Sequence, residues 1–202
     1  HNDYGRGFYC THSPEMAKEW ACGKGTDGYA NEYEFDISGL NVINLNNKPY
    51  NILNWLAVLT QNRTYWQSGA ISAEAKEYLR EHFDVDISSA DVIIGYRADD
   101  SYFTFAQDFV SGAIPIEKLK KAMHLGELGE QTVIMSKKAF DRLSFKQAYP
   151  ADKDEYYEKK QMRDKKARLK YREERDDRKS IDGLFMLDIM REGITNGDPR
   201  IQ

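Results

Sequence analysis

The chain has 202 residues, 31% of them charged and 41% hydrophobic, with a net charge of −4. That length supports one domain with a genuine core plus an appendage. The acidic balance removes any general electrostatic case for nucleic-acid binding and leaves only a local basic patch open.

No apolar run approaches the ~20 residues that a membrane-spanning helix needs, and no signal-peptide pattern opens the sequence. The two cysteines, Cys10 and Cys22, and the four histidines, His1, His12, His82 and His124, show no metal-ligand spacing, so no metal is expected. Two cysteines in a domain of this size read as reduced thiols of a cytoplasmic protein.

The predicted elements begin with Gly5-Arg6-Gly7-Phe8-Tyr9-Cys10-Thr11, a glycine-rich approach to a strand. Its two glycines would let the backbone come close to a bound ligand, and its aromatic pair offers a flat face for stacking. Adjacent strand residues face opposite sides, so Phe8 should point away from Tyr9. Ser13-Pro14-Glu15 reads as an N-cap, a first-turn proline and a first-turn acid, opening a helix to about Cys22. Gly23, Gly25 and Gly28 mark a loop. Strands follow over Tyr29 to Ile37 and Leu40 to Leu45, separated by a Ser38-Gly39 turn.

Ile52 to Arg63 carries apolar residues at Ile52, Leu53, Leu56, Val58 and Leu59 with Trp55, the face of a helix. A second helix spans Ser72 to Phe83, with Ala73, Ala75 and Leu79 turned inward. Ala90 to Gly95 fits a buried strand, followed by helices over Phe103 to Val110 and Ile116 to Met123. Gln131 to Met135 forms a further strand and Ser136 to Leu143 a short helix. From Pro150 the composition changes: residues 152–179 hold twelve Lys or Arg and nine Asp or Glu without a consistent apolar stripe. This is the pattern of a solvated helix laced by spaced opposite charges, with a basic nucleic-acid arm as the less favoured alternative. Hydrophobicity returns at Leu184, Phe185, Leu187, Ile189 and Met190, which should dock as a short helix on this domain or on another chain. The expected division is a domain over residues 1–149 and a charged helical extension over 150–202.

Several ordered blocks together resemble one bacterial family of unassigned function placed in the ADP-ribosyltransferase superfamily. They are Asp3-Tyr4-Gly5-Arg6-Gly7-Phe8-Tyr9-Cys10-Thr11, Ala17 to Ala21, Glu32-Tyr33-Glu34-Phe35-Asp36, Asn62-Arg63, Ala90 to Ile94 with Ala98-Asp99-Asp100, and Glu130-Gln131 with Lys137-Lys138-Ala139-Phe140. The resemblance covers about residues 2–147 and resumes at Asp182 to Arg200. It implies an α+β, ADP-ribosyltransferase-like fold with a split mixed β-sheet, flanking helices and a charged helical C-terminal extension. NAD is the implied substrate, and an unidentified macromolecule the implied acceptor of ADP-ribose. Family members resemble toxins or effectors, sometimes with a small protein partner or antitoxin, which adds delivery as an effector to the cytoplasmic expectation. The superfamily also implies a strand bearing a His or Arg well upstream of Gly5. We expect that strand to be missing from this chain, or supplied by another segment, and His1 adjoins the glycine loop too closely to replace it.

The same resemblance assigns roles. Tyr9 would stack on nicotinamide, a core tyrosine being the alternative. The third position of the superfamily triad falls on Gln131 by register, or on Glu130 if a bulge turns that residue inward. An amide can hydrogen-bond ribose hydroxyls but cannot ionise, whereas a carboxylate could stabilise the positive charge that develops on the sugar; the alternative for Glu130, slightly favoured, is a solvated turn residue beside Gly129. Arg6, Gly7, Thr11, Asn62 and Arg63 would line the dinucleotide path, with Arg63 suited to phosphate oxygens or, as a cation at a helix C-terminus, to a structural role. Asp99 and Asp100 would shape the acceptor side or cap the following helix. The rival to an enzyme is a catalytically inactive nucleotide- or protein-binding module of the same fold.

Overall fold

A computed structural model describes residues 2–63, 69–98, 100–124, 129–176 and 183–202, with main chain alone at 100–102 and 174–176. The fold is α+β with a mixed sheet. Its four strands lie in the order β1-β5-β4-β3, formed by β1 (Phe8–Thr11), β3 (Val42–Asn44), β4 (Val92–Tyr96) and β5 (Glu130–Ile134). β1 and β4 flank β5 antiparallel, and β3 joins β4 in parallel. A separate antiparallel ribbon pairs β2 (Gly28–Phe35) with β6 (Leu143–Ala151), its register shifting between Glu32 and Tyr33.

The helices follow their sequence signals at most ends. In α1 (Pro14–Ala21), the Ser13 side chain accepts from the Met16 N–H as the N-cap, with Pro14 in the first turn. Asn51 opens α2 (Ile52–Asn62) through a capping box with Asn54. The other helices are α3 (Ala70–Phe83), α4 (Asp100–Val110), α5 (Ile116–Met123), α6 (Lys137–Phe140), α7 (Lys153–Asp176) and α8 (Met186–Glu192).

Four sequence expectations need correction. The first is α2, which is not one-faced: every residue from Ile52 to Leu59 is buried, because the helix runs through the middle of the main apolar cluster. Leu53, Trp55, Leu56 and Leu59 there join Ile93 and Val133 of the sheet and Phe105 and Phe109 of α4. In α3, Ala73 is exposed, and the buried positions are Ser72, Ala75, Leu79 and Phe83, which keep the helical spacing with a polar member in it. The helix expected to run to Leu143 stops at Phe140, and Leu143 begins β6; the expected boundary between 149 and 150 therefore falls inside a strand. Finally, α7 does carry an inward stripe, Tyr156, Ala167 and Tyr171 with Arg163 between them. Arg163 pairs with Glu19 of α1 at 2.9 Å, both side chains nearly buried, so a charged residue sits where an apolar one would have signalled the stripe.

The tail docks on this domain. Met186 and Ile189 of α8 are fully buried in the main cluster, the Tyr78 hydroxyl donates to the Ile194 carbonyl at 3.0 Å, and Lys120 Nζ donates to the Ile201 carbonyl at 3.2 Å. No helix among the described residues is long and apolar enough to cross a membrane.

Candidate functional site

The glycine-rich segment folds as a re-entrant loop ahead of β1, held by the tyrosine that follows it. The Tyr9 hydroxyl donates to the Gly5 carbonyl at 2.8 Å and accepts from the Tyr4 N–H at 3.1 Å. Burial of the ring pushes the Tyr9 phenol up to about 12, so it remains a neutral hydrogen-bonding group at physiological pH. The glycines serve the chain's own packing. Gly5 has a φ of +80°, and a Cβ there would stand 2.9 Å from Asn62 Oδ1; a Cβ on Gly7 would stand 2.6 Å from Val133 Cγ1. Their smallness lets the loop lie against α2 and β5.

This loop delivers Asp3 to a junction of three elements. The Asp3 side chain, almost wholly buried, accepts from Arg63 Nε at 2.8 Å, from the Ala98 N–H at 2.8 Å and from Gln131 Nε2 at 2.9 Å. Gln131 Nε2 also lies 3.3 Å from the Tyr96 carbonyl, to which the Tyr4 hydroxyl and Trp55 Nε1 donate at 2.7 and 3.1 Å. Buried polar groups cost free energy unless paired, and here a carboxylate, an amide and a guanidinium satisfy one another. Both acceptors fix which end of the Gln131 amide faces them, leaving Oε1 for any further partner. The network also accounts for an amide at this position: a Glu would place a second carboxylate against Asp3, and two such groups cannot both ionise cheaply.

Asp3, Tyr9, Arg63 and Gln131 form one wall of a cavity of about 960 Å³. Tyr9 and Gln131 share a sheet face, since Thr11 pairs with Gln131 and Tyr9 lies two residues before Thr11. Arg97 and Trp20 contribute the side, with the guanidinium 4.5 Å from the indole centroid. The opposite wall is α7, whose Tyr157, Gln161, Asp164, Arg168 and Arg172 recur at helical spacing, beside Lys160 and Lys165. Among the described lining residues there are six cations and two carboxylates, a positive cavity in a chain of net charge −4.

Three of the expected site residues, Tyr9, Gln131 and Arg63, therefore meet in one place. Arg63 is engaged by Asp3 and the Ala98 carbonyl and lies 5.2 Å from the Phe103 ring centroid. Other expected residues lie elsewhere. Glu130 is exposed and accepts from Asn46 Nδ2 at 2.8 Å, with no bulge to turn it inward. Asn62 donates back to the Val58 carbonyl at 2.9 Å, and neither Arg6 nor Gly7 lines the cavity. Thr11 accepts from the Ser13 N–H and borders a second groove, of about 690 Å³, between β1 and β2. Asp99 lies outside the described residues, and Asp100 opens α4 with only its main chain described.

Asp3, Arg97, Trp20 and the α7 stripe were not singled out as site residues by the sequence. The helical spacing of polar residues along α7 is the one signal that could have found any of them.

Both cysteines are free thiols, and burial raises the Cys10 thiol to about 11, away from thiolate chemistry at neutral pH. Among the described residues no three His, Cys, Asp or Glu side chains converge as a metal site would require.

The fold and site thus define an α+β protein whose mixed sheet and long charged helix enclose a cationic cavity. The chain belongs to the family described as "Protein of unknown function (DUF3990)", whose model matches residues 1–145, from the glycine loop into β6. No curated protein and no solved structure matches the chain.

Proposed function

We propose that the cavity binds NAD and that the protein is an ADP-ribosyltransferase-like enzyme passing ADP-ribose to a macromolecular acceptor. The observation that carries this reading is the convergence of Tyr9 and Gln131 on one sheet face at the floor of a cation-lined cavity. Its volume of about 960 Å³ lies at the upper end of ordinary ligand sites. Two aromatic side chains, Tyr9 and Trp20, line it, the indole of Trp20 stacked by the Arg97 guanidinium, and guanidinium groups suit phosphate oxygens.

In this reading the Tyr9 ring supports nicotinamide, and Gln131 Oε1 accepts from a ribose hydroxyl. As the bond from ribose C1′ to the nicotinamide nitrogen breaks, its electron pair leaves with nicotinamide and positive charge develops on the sugar. The acceptor's nucleophile then bonds to C1′ and releases its proton. The Asp3 carboxylate, behind Gln131 and paired with Arg63, holds the amide in orientation.

One observation favours a second reading, a nucleotide-binding module without turnover. Asp3 is engaged by three donors and Asp164 lies 3.6 Å from Arg163, so both carboxylates among the described lining residues have partners within the fold. Incubating the full chain with NAD and measuring nicotinamide release, alongside direct NAD binding, separates the two. Release that Tyr9→Ala abolishes supports the enzyme; binding with no release by folded protein supports the module; absence of both overturns the NAD reading.

A further inference from the structure

We propose that the cavity-facing cations of α7, Lys160, Lys165, Arg168 and Arg172, form a phosphate-binding wall for the diphosphate of a nucleoside diphosphate moiety. This rests on the reading of the cavity as a dinucleotide site, and adds that the diphosphate is held by α7, beyond residue 145 where the family match ends.

The distribution of ion pairs along this one helix carries the inference. Where α7 meets its own first turns or the rest of the domain, its cations are matched. Lys153 lies 3.7 Å from Asp27, Lys159 lies 2.6 Å from Glu155 and 3.2 Å from Glu15, and Arg163 holds Glu19. Where α7 faces the cavity, Arg168 has a partner but its neighbours are not matched in the same way. Among the described residues Lys160, Lys165 and Arg172 have no hydrogen-bond or ion-pair partner, although Asp164 stands on the same wall. Among the described residues of the facing wall the carboxylate is Asp3, which is buried and held by Arg63, Ala98 and Gln131.

An acidic chain that gathers cations, several of them unmatched among the described residues, around a concave surface creates a local positive potential, which a polyanion would neutralise. The cavity form selects within that class. Its two walls and aromatic side chains suit a compact ligand with a planar ring at one end and negative charge at the other, and that combination fits a nucleoside diphosphate better than a long backbone. Phosphate oxygens would accept charge-assisted hydrogen bonds from the guanidinium groups and point-charge contacts from the lysines.

The test is calorimetric titration of the full chain with ADP, with NAD and with a short single-stranded RNA, at low and physiological salt. The substitutions are Lys165→Glu with Arg172→Glu. The control is Lys166→Glu with Lys170→Glu, at exposed positions of the same helix that do not line the cavity. We expect ADP to bind, to weaken with salt, and to lose about tenfold or more in affinity with the cavity-side pair, the loss expected for one charged contact. The control should bind as the parent does, and circular dichroism should show both variants folded. Parent protein that binds RNA but not ADP, or cavity-side variants that bind ADP as tightly as the parent, would overturn the proposal. NAD affinity that survives the reversal removes the wall and leaves the proposed function standing. ADP binding lost on reversal, in a protein that never binds NAD, keeps the wall and removes the NAD reading.

Discussion

The two walls of the cavity differ in how their polar groups are satisfied. On the sheet side, Asp3, Arg63, Gln131 and the Tyr9 hydroxyl are tied to one another and to backbone, buried or half-buried. On the α7 side, Lys165 and Arg172 are exposed and without partners among the described residues. A wall satisfied from within is rigid and linked to the stability of the whole domain, whereas a wall of unmatched cations contributes little to folding and is open to a ligand. Substitutions on the first should therefore appear in denaturation curves, and substitutions on the second in binding curves.

The largest effect is expected from Asp3→Ala, which leaves the Arg63 guanidinium, the Ala98 N–H and the Gln131 amide without their acceptor. Removing one partner of a buried charged pair costs about 3–5 kcal/mol, to be read from urea unfolding; a loss below about 1 kcal/mol would mean that the network is not the keystone of this wall. Gln131→Glu should cost about 1–3 kcal/mol at neutral pH through carboxylate repulsion and the lost amide donor. The sign follows from linkage: the new carboxyl has its folded-state pKa raised beside Asp3, so the penalty is present above that value and relieved as pH falls through it. Unfolding free energies that stay parallel to the parent's across the acidic range would contradict this. Gly7→Ala, whose methyl would meet Val133 Cγ1 at 2.6 Å, should cost about 1–3 kcal/mol by overpacking. Thermal melting equal to the parent's would show that the loop has room to move. Smallest of all, Lys165→Ala with Arg172→Ala should change unfolding free energy by no more than about 0.5 kcal/mol, and a larger loss would place α7's cavity face among the structural elements.

The same division explains what could be seen in the sequence. Elements fixed by local signals were legible: Ser13-Pro14 at the start of α1, the apolar run of β4, and the opposition of Phe8 to Tyr9, since Phe8 packs with Ile134 and Ala139 while Tyr9 lies against the main core. β6 was not legible, because Ser144 to Pro150 is exposed along its length and shows no apolar alternation. Its pairing with β2 rests on backbone hydrogen bonds and on cross-strand pairs such as Tyr33 with Phe145 and Glu34 with Lys146, which meet only once the register is set. Arg163 hid the inner stripe of α7 by standing where an apolar residue would be read. Of the site, Tyr9 and Gln131 were found through a resemblance that extends over most of the chain. Asp3 lies in the same block, but a carboxylate in a glycine loop gains meaning only from partners 60, 95 and 128 positions away. Arg97 leaves no local trace for the same reason, and the polar residues of α7, although they recur at helical spacing, define a cavity wall only against the distant elements that face them.

The most direct test of the account is titration of the folded full chain with NAD, compared with Tyr9→Ala on one wall and Lys165→Glu with Arg172→Glu on the other. A two-walled NAD site predicts saturable binding by the parent that both sets of substitutions weaken by about tenfold or more. No detectable NAD binding by folded parent protein, or binding indifferent to changes on both walls, would contradict it.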